Sequence, residues 1–216
     1  MTDRQLQEDV QKALDWEPSV ESSGVGVSVD NGVVSLRGDA RSYAEKFAAE
    51  RVALHVYGVR GVANELNVKL AAGHNRTDSD IAQAVVSALD WNALIPKGAV
   101  TVAVSKGWVS LQGQVGWDYQ RVAAVKTVRN LTGVRGVTNS ITVQPRVNAV
   151  DVKSKIESAL KRSAELDARR INVTVSNSKV LLSGNVHTWF ERTEAERAAW
   201  SAPGVTEVED HVVVVP

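Results

Sequence analysis

The sequence predicts an α+β protein built as three tandem αββαβ domains, each a three-stranded mixed sheet with two helices on one face. Three observations predict it: short motifs recur at a fixed spacing, each copy opens on an apolar stripe of helical period, and strict apolar alternation of strand period follows. Ala13-Leu14-Asp15-Trp16 returns as Ala88-Leu89-Asp90-Trp91, and Ser35-Leu36-Arg37-Gly38 returns as Ser110-Leu111-Gln112-Gly113. Gly58-Val59-Arg60-Gly61-Val62 returns as Gly133-Val134-Arg135-Gly136-Val137, and all three pairs lie 75 residues apart. A third copy follows 71 residues later through Ala159-Leu160, Leu182-Ser183-Gly184 and Gly204-Val205. The copies align as 2–70, 77–145 and 148–216, with linkers 71–76 and 146–147. Linkers that short keep neighbouring domains close.

The first helix of each copy carries Leu6, Val10, Ala13 and Leu14, then Ile81, Val85, Ala88 and Leu89, then Val152, Ile156, Ala159 and Leu160. Each set follows the i, i+4, i+7, i+8 stripe. Thr77 and Asp80 have the spacing of a capping box. The first strand alternates Val25, Val27, Val29; Val100, Val102, Val104; and Ile171, Val173, Val175. Asn31-Gly32, Lys106-Gly107 and Asn177-Ser178 make the turns, and Asn-Gly is a strong type I′ hairpin signal. The second strand brings in Val34 and Leu36, Val109 and Leu111, or Val180 and Leu182, and the glycine after it reads as a strand end. A second helix is expected over about 41–57, 116–132 and 187–202, with Gly58, Gly133 and Gly204 as C-caps. The last strand turns Leu66 and Val68, Ile141 and Val143, or Val212 and Val214 inward. A domain of about 70 residues buries only about 60% of its unfolded surface, so contacts between copies should matter.

These landmarks resemble the BON domain, a bacterial module. The likeness is carried by the Ala-Leu of helix one, the Val-x-Val strand, Gly32-Val33-Val34-Ser35-Leu36-Arg37-Gly38, and Gly58-Val59-Arg60-Gly61-Val62-Ala63-Asn64. Copy two repeats the last as Gly133 to Asn139. Copy three departs, with Ser178 at the turn glycine and Gly204-Val205-Thr206-Glu207-Val208-Glu209-Asp210 lacking the second glycine and the asparagine. The resemblance implies the αββαβ fold. It also implies roles in envelope maintenance, osmotic stress and anionic phospholipid binding, with potassium binding in one branch. Most such proteins are periplasmic or lipid-anchored. This chain shows no basic-then-apolar leader after Met1, which reads as cytoplasmic, with periplasmic as the alternative for a mature chain.

Composition narrows the function classes. Lys+Arg and Asp+Glu both number 25, so the formal net charge is zero and the electrostatic case for nucleic acid is weak. There are no cysteines, which excludes disulfides and thiolate chemistry. His55, His74, His187 and His211 are scattered without metal spacing, and no G-x-S-x-G motif occurs. No catalytic residue, metal or cofactor is assigned. Gly58-Val59-Arg60-Gly61 spells the G-x-x-G of RNA-binding KH loops, but its glycines already serve as cap and turn.

The binding candidates are aromatic. The start of the second helix carries Tyr43 and Phe47, then Trp117, Tyr119 and Arg121, then Trp189, Phe190 and Arg192. Aromatics beside arginine at a helix start suit an anionic phospholipid headgroup layer or a protein partner, and they equally suit a cap over the core. Trp16 and Trp91 are expected to cap the core at the end of helix one. Strand parity sends Trp108, Leu181, Val213 and Val215 to the outer sheet face, where an interdomain or homo-oligomer contact is expected. The leading functional reading is a non-catalytic bacterial stress or envelope-homeostasis protein that binds lipid or protein surfaces. The alternatives are a small-ligand or cation-sensing module and a self-assembling structural or pore-like protein.

Overall fold

A computed structural model describes residues 2–70, 76–144, 152–163, 168–176 and 178–215. The first copy runs α1 (Asp3–Trp16), β1 (Val25–Asp30), β2 (Val33–Ala40), α2 (Tyr43–His55) and β3 (Gly61–Val68). The second runs α3 (Asp78–Trp91), β4 (Val100–Ser105), β5 (Trp108–Val115), α4 (Asp118–Arg129) and β6 (Gly136–Val143). The third runs α5 (Val152–Arg162), β7 (Ile171–Ser176), β8 (Lys179–Val186), α6 (Trp189–Trp200) and β9 (Glu207–Val214). Linker residues 71–75 and 146–147, and turn residue Asn177, lie outside the described residues.

Each copy keeps its own three-stranded sheet, with the second strand in the middle. It pairs antiparallel with the first strand and parallel with the third. The parallel pairing requires a crossover, which the second helix supplies. Val34, Leu36, Val109, Leu111, Val180 and Leu182 are fully buried on the central strands, as their parity dictates. The first helix lays Leu6, Val10 and Leu14, or their counterparts, on that face. The second helix adds small side chains: Ala48, Ala49 and Ala53 in α2, Ala123 and Ala124 in α4, Ala195 and Ala199 in α6. The result is three separate cores.

The expected capping box is present: Asp80 N–H donates to Thr77 Oγ1 at 3.2 Å, and Thr77 N–H donates to Asp80 Oδ2 at 3.0 Å. The first helical residue adds a contact the sequence reading did not include. Asp3 accepts the N–H groups of Asn31 and Gly32, and Asp78 accepts those of Lys106 and Gly107, both at 2.8 Å. That carboxylate pins helix one to the hairpin turn, where Asn31 and Lys106 sit at φ 50° and 52°.

Two local expectations change. The glycine of Leu-x-Gly does not end its strand, because β2, β5 and β8 run two residues further. A Cβ at Gly38 would sit 2.1 Å from the Gly24 carbonyl oxygen, and φ there is 119°, so the glycine lets the edge backbone cross the middle strand closely. The second helices are also shorter than expected. Ser42 and Thr188 are extended N-caps whose hydroxyls accept from Glu45 N–H and Glu191 N–H. In copy one, Val56 is the C-cap and Gly58 falls in the turn that follows.

Candidate functional site

The third residue of each second helix reaches back and fixes the loop before it. The Glu45 carboxylate is buried and accepts the N–H groups of Glu21 and Arg41, each at 2.6 Å, plus the Arg41 guanidinium. Burial alone would push this carboxyl up, but those donors outweigh it and hold Glu45 below its usual range. Gln120 accepts from Gly116 and Trp117 N–H in copy two, and Glu191 accepts from His187 N–H in copy three. That fixes the first residues of the helix.

They point at the next copy. The start of α2 meets the end of α4: the Arg129 guanidinium lies 3.8 Å from the Phe47 ring centroid, and Tyr43 packs on the core of copy two. The start of α4 meets the end of α6: Arg121 lies 4.3 Å from the Trp200 ring centroid, and Trp200 also reaches the core of copy two. The start of α6 meets the end of α2: Phe190 and His55 have ring centroids 5.6 Å apart, and Trp189 packs on the cores of copies one and three. Each contact is head to tail, and the third returns to the first helix. Head-to-tail contacts that close make a ring, here within one chain. The second helices therefore form a triangle that joins the three domains.

The ring absorbs most of the predicted surface-binding residues. Tyr43, Phe47, Arg121, Trp189 and Phe190 make contacts between copies. Arg192 stacks 4.8 Å from Trp189 and pairs with Asp210 at 2.6 Å. Trp117 and Tyr119 keep 38% and 53% of their surface and line a cleft of about 590 Å³ between α4 and α6. Asp118, Val122, Arg197, Trp200 and Ser201 complete its lining. Arg121 Nη2 lies 2.5 Å from Asp118 Oδ1 as an ion pair. Burial pushes the Asp118 carboxyl up, and the Arg121 charge pulls it only part of the way back.

Other expectations are corrected. Trp16 and Trp91 do not cap the core; they are 88% and 89% exposed. Each sits two residues beyond the last inward leucine, which is about 200° around the helix and so on its outer side. The outer-face residues Trp108, Val213 and Val215 stay largely exposed within the described residues. Trp108 lies over Gly136 in its own sheet and donates Nε1–H to Thr138 at 2.7 Å. Val213 and Val215 are 56% and 47% exposed, and Leu181 is half-buried. The interdomain packing uses the second helix of each domain.

Among the described residues, no three His, Cys, Asp or Glu side chains come together as metal ligands, and no helix is long and apolar enough to cross a membrane. His74 lies outside the described residues.

The chain matches the BON domain family over residues 2–69, 77–145 and 148–216. Osmotically-inducible protein Y of Escherichia coli (strain K12) is 29% identical to it over 149 residues, which cover 65% of this chain and 72% of that protein. Two solved structures of CdsD, a structural protein of the Type III secretion system of Chlamydia trachomatis, overlap it at 15% and 14% identity. The first covers 98% of this chain and 93% of that one with a TM-score of 0.28; the second, a C-terminal domain, covers 100% of both with a TM-score of 0.27.

Proposed function

Since this chain belongs to the BON domain family and carries that domain three times, we propose that it is a non-catalytic bacterial stress protein that docks on lipid surfaces. The similarity to an osmotically inducible protein supports an osmotic-stress or envelope-homeostasis role. One observation carries the docking reading: Trp16 and Trp91, at equivalent positions in two copies, are almost wholly exposed. A ring closed by head-to-tail contacts relates its copies by an approximate threefold rotation, and a rotation keeps equivalent positions on one side. The two indoles then form a paired contact, and tryptophan is a residue suited to the headgroup layer.

The charge around them sets the lipid preference. Asp15 and Asp90 precede the two tryptophans, while the helix-two arginines Arg121, Arg129 and Arg192 are engaged inside the ring. The contact is therefore apolar and interfacial, with little gain from anionic lipid. Flotation of the full chain with zwitterionic and anionic vesicles tests this. Wild type is expected to float with both, and the Trp16→Ala, Trp91→Ala double variant is expected to lose most of that binding. Absence of binding to both vesicles at low ionic strength rejects the lipid reading and leaves a protein partner.

A second reading, a homo-oligomer through the outer sheet of copy three, is favoured by the exposed Val213 and Val215 beside Leu181. A concentration-dependent mass in solution tests it.

A further inference from the structure

The three joints of the ring are built alike but filled differently. The first position of the second helix holds Tyr43 in copy one, Asp118 in copy two and Trp189 in copy three. Tyr43 packs on the core of copy two, and Trp189 packs on the core of copy one. Both rings act as plugs, each entering the neighbouring domain from the helix start. Asp118 cannot do this, since a carboxylate has neither the volume nor the apolar faces of a ring. Trp200 comes in from the opposite helix, carrying Arg121 on one face of its ring. It does not fill the joint, and a cleft of about 590 Å³ remains between α4 and α6. That volume falls within the range of small-molecule sites, about 300–1,000 Å³.

The cleft walls match what the other joints contain. Trp117, Tyr119 and Trp200 offer aromatic surface, and Val122 adds an aliphatic patch. At the base lies the Asp118–Arg121 ion pair, whose carboxylate keeps lone pairs for a further donor. The plugs of the other two joints are a phenol and an indole, both ring systems that carry one donor.

We propose that this cleft binds a small planar aromatic molecule with one N–H or O–H donor, of the indole or phenol class. The ring stacks among Trp117, Tyr119 and Trp200, and the donor meets Asp118. The ligand takes the place that Tyr43 and Trp189 occupy in the other joints, and it tightens the α4–α6 joint. This site is independent of the lipid reading, because Trp16 and Trp91 take no part in it.

Saturation-transfer NMR on the full chain, with indole as the probe, tests the proposal. Wild type should saturate indole at millimolar concentration, and p-cresol should compete. N-methylindole, which lacks the donor, should bind about tenfold more weakly, the loss expected of one hydrogen bond to a charged group. Asp118→Trp restores the plug seen in copy three and should abolish indole binding. Tyr119→Ala removes an exposed wall, leaves the cores intact and should weaken binding at least about threefold, as lost aromatic stacking does. The proposal is overturned by the absence of transfer to indole in wild type, by undiminished binding in Tyr119→Ala, or by undiminished binding in folded Asp118→Trp. Equal affinity for indole and N-methylindole overturns the role of Asp118.

Discussion

Trp189→Ala is the sharpest test of the ring. The side chain packs on the core of its own domain and on that of copy one, so its loss should be felt in two places. An indole has about 200 Å² to bury, and burial is worth about 25 cal/mol per Å². Trp189 is only partly covered, so about 3 kcal/mol is expected, shared between copies one and three. Urea denaturation of the full chain reads this, but three domains need not unfold together, and a single midpoint would mislead. Hydrogen exchange followed copy by copy separates the parts. Protection should fall in α2 and α6 and stay unchanged in α3, whose core Trp189 does not touch. Small-angle scattering should show a larger radius of gyration as the α6–α2 joint opens. Trp91→Ala is the matched control, the same residue type at 89% exposure, and it should change stability by less than about 0.5 kcal/mol. A loss below about 1 kcal/mol for Trp189→Ala, or protection lost equally in all three copies, refutes the head-to-tail ring.

Further expectations follow from the cores, from one buried carboxylate and from the open sheet face. Leu36→Ala, Leu111→Ala and Leu182→Ala should each cost their own domain about 2–5 kcal/mol, since all three leucines are fully buried; hydrogen exchange in each copy checks this. Glu45→Gln should destabilise copy one at neutral pH. Because the folded Glu45 carboxyl lies below its ordinary 4.5, its contribution is present above that value and lost as pH falls through the folded pKa. Urea midpoints of wild type and variant should therefore converge in acid. Asp118 carries the opposite sign. Its folded pKa lies above 3.8, so it costs stability as pH rises past that value, and Asp118→Asn should flatten the slope there. Val213→Thr with Val215→Thr should leave thermal stability of the monomer near wild type, since both side chains are open; analytical ultracentrifugation would show a lower mass only where that face joins two copies.

Much of this protein is legible from the chain alone. The 75-residue repeat gives the number of domains, and the periods of Leu6-Val10-Leu14 and Val25-Val27-Val29 give helix and strand. The parity of Val34 and Leu36 fixes which face is buried. These follow from short-range geometry, because a side chain's direction within one element depends only on its position along it. The same logic places Val213 and Val215 outward, and that is where they are. What covers an outward residue is a different question. Tyr43 and Trp189 are partly covered by a neighbouring domain while Trp16 and Trp91 stand in water, although all four lie at a helix end. The difference is set by the orientation of one domain against the next, through contacts between residues 79 to 135 positions apart that no local period encodes. The significance of Asp118 is of the same kind. In the sequence it is one acidic residue at a helix start; only the closed ring makes it the place where a plug is missing, because only there can the third joint be compared with the other two.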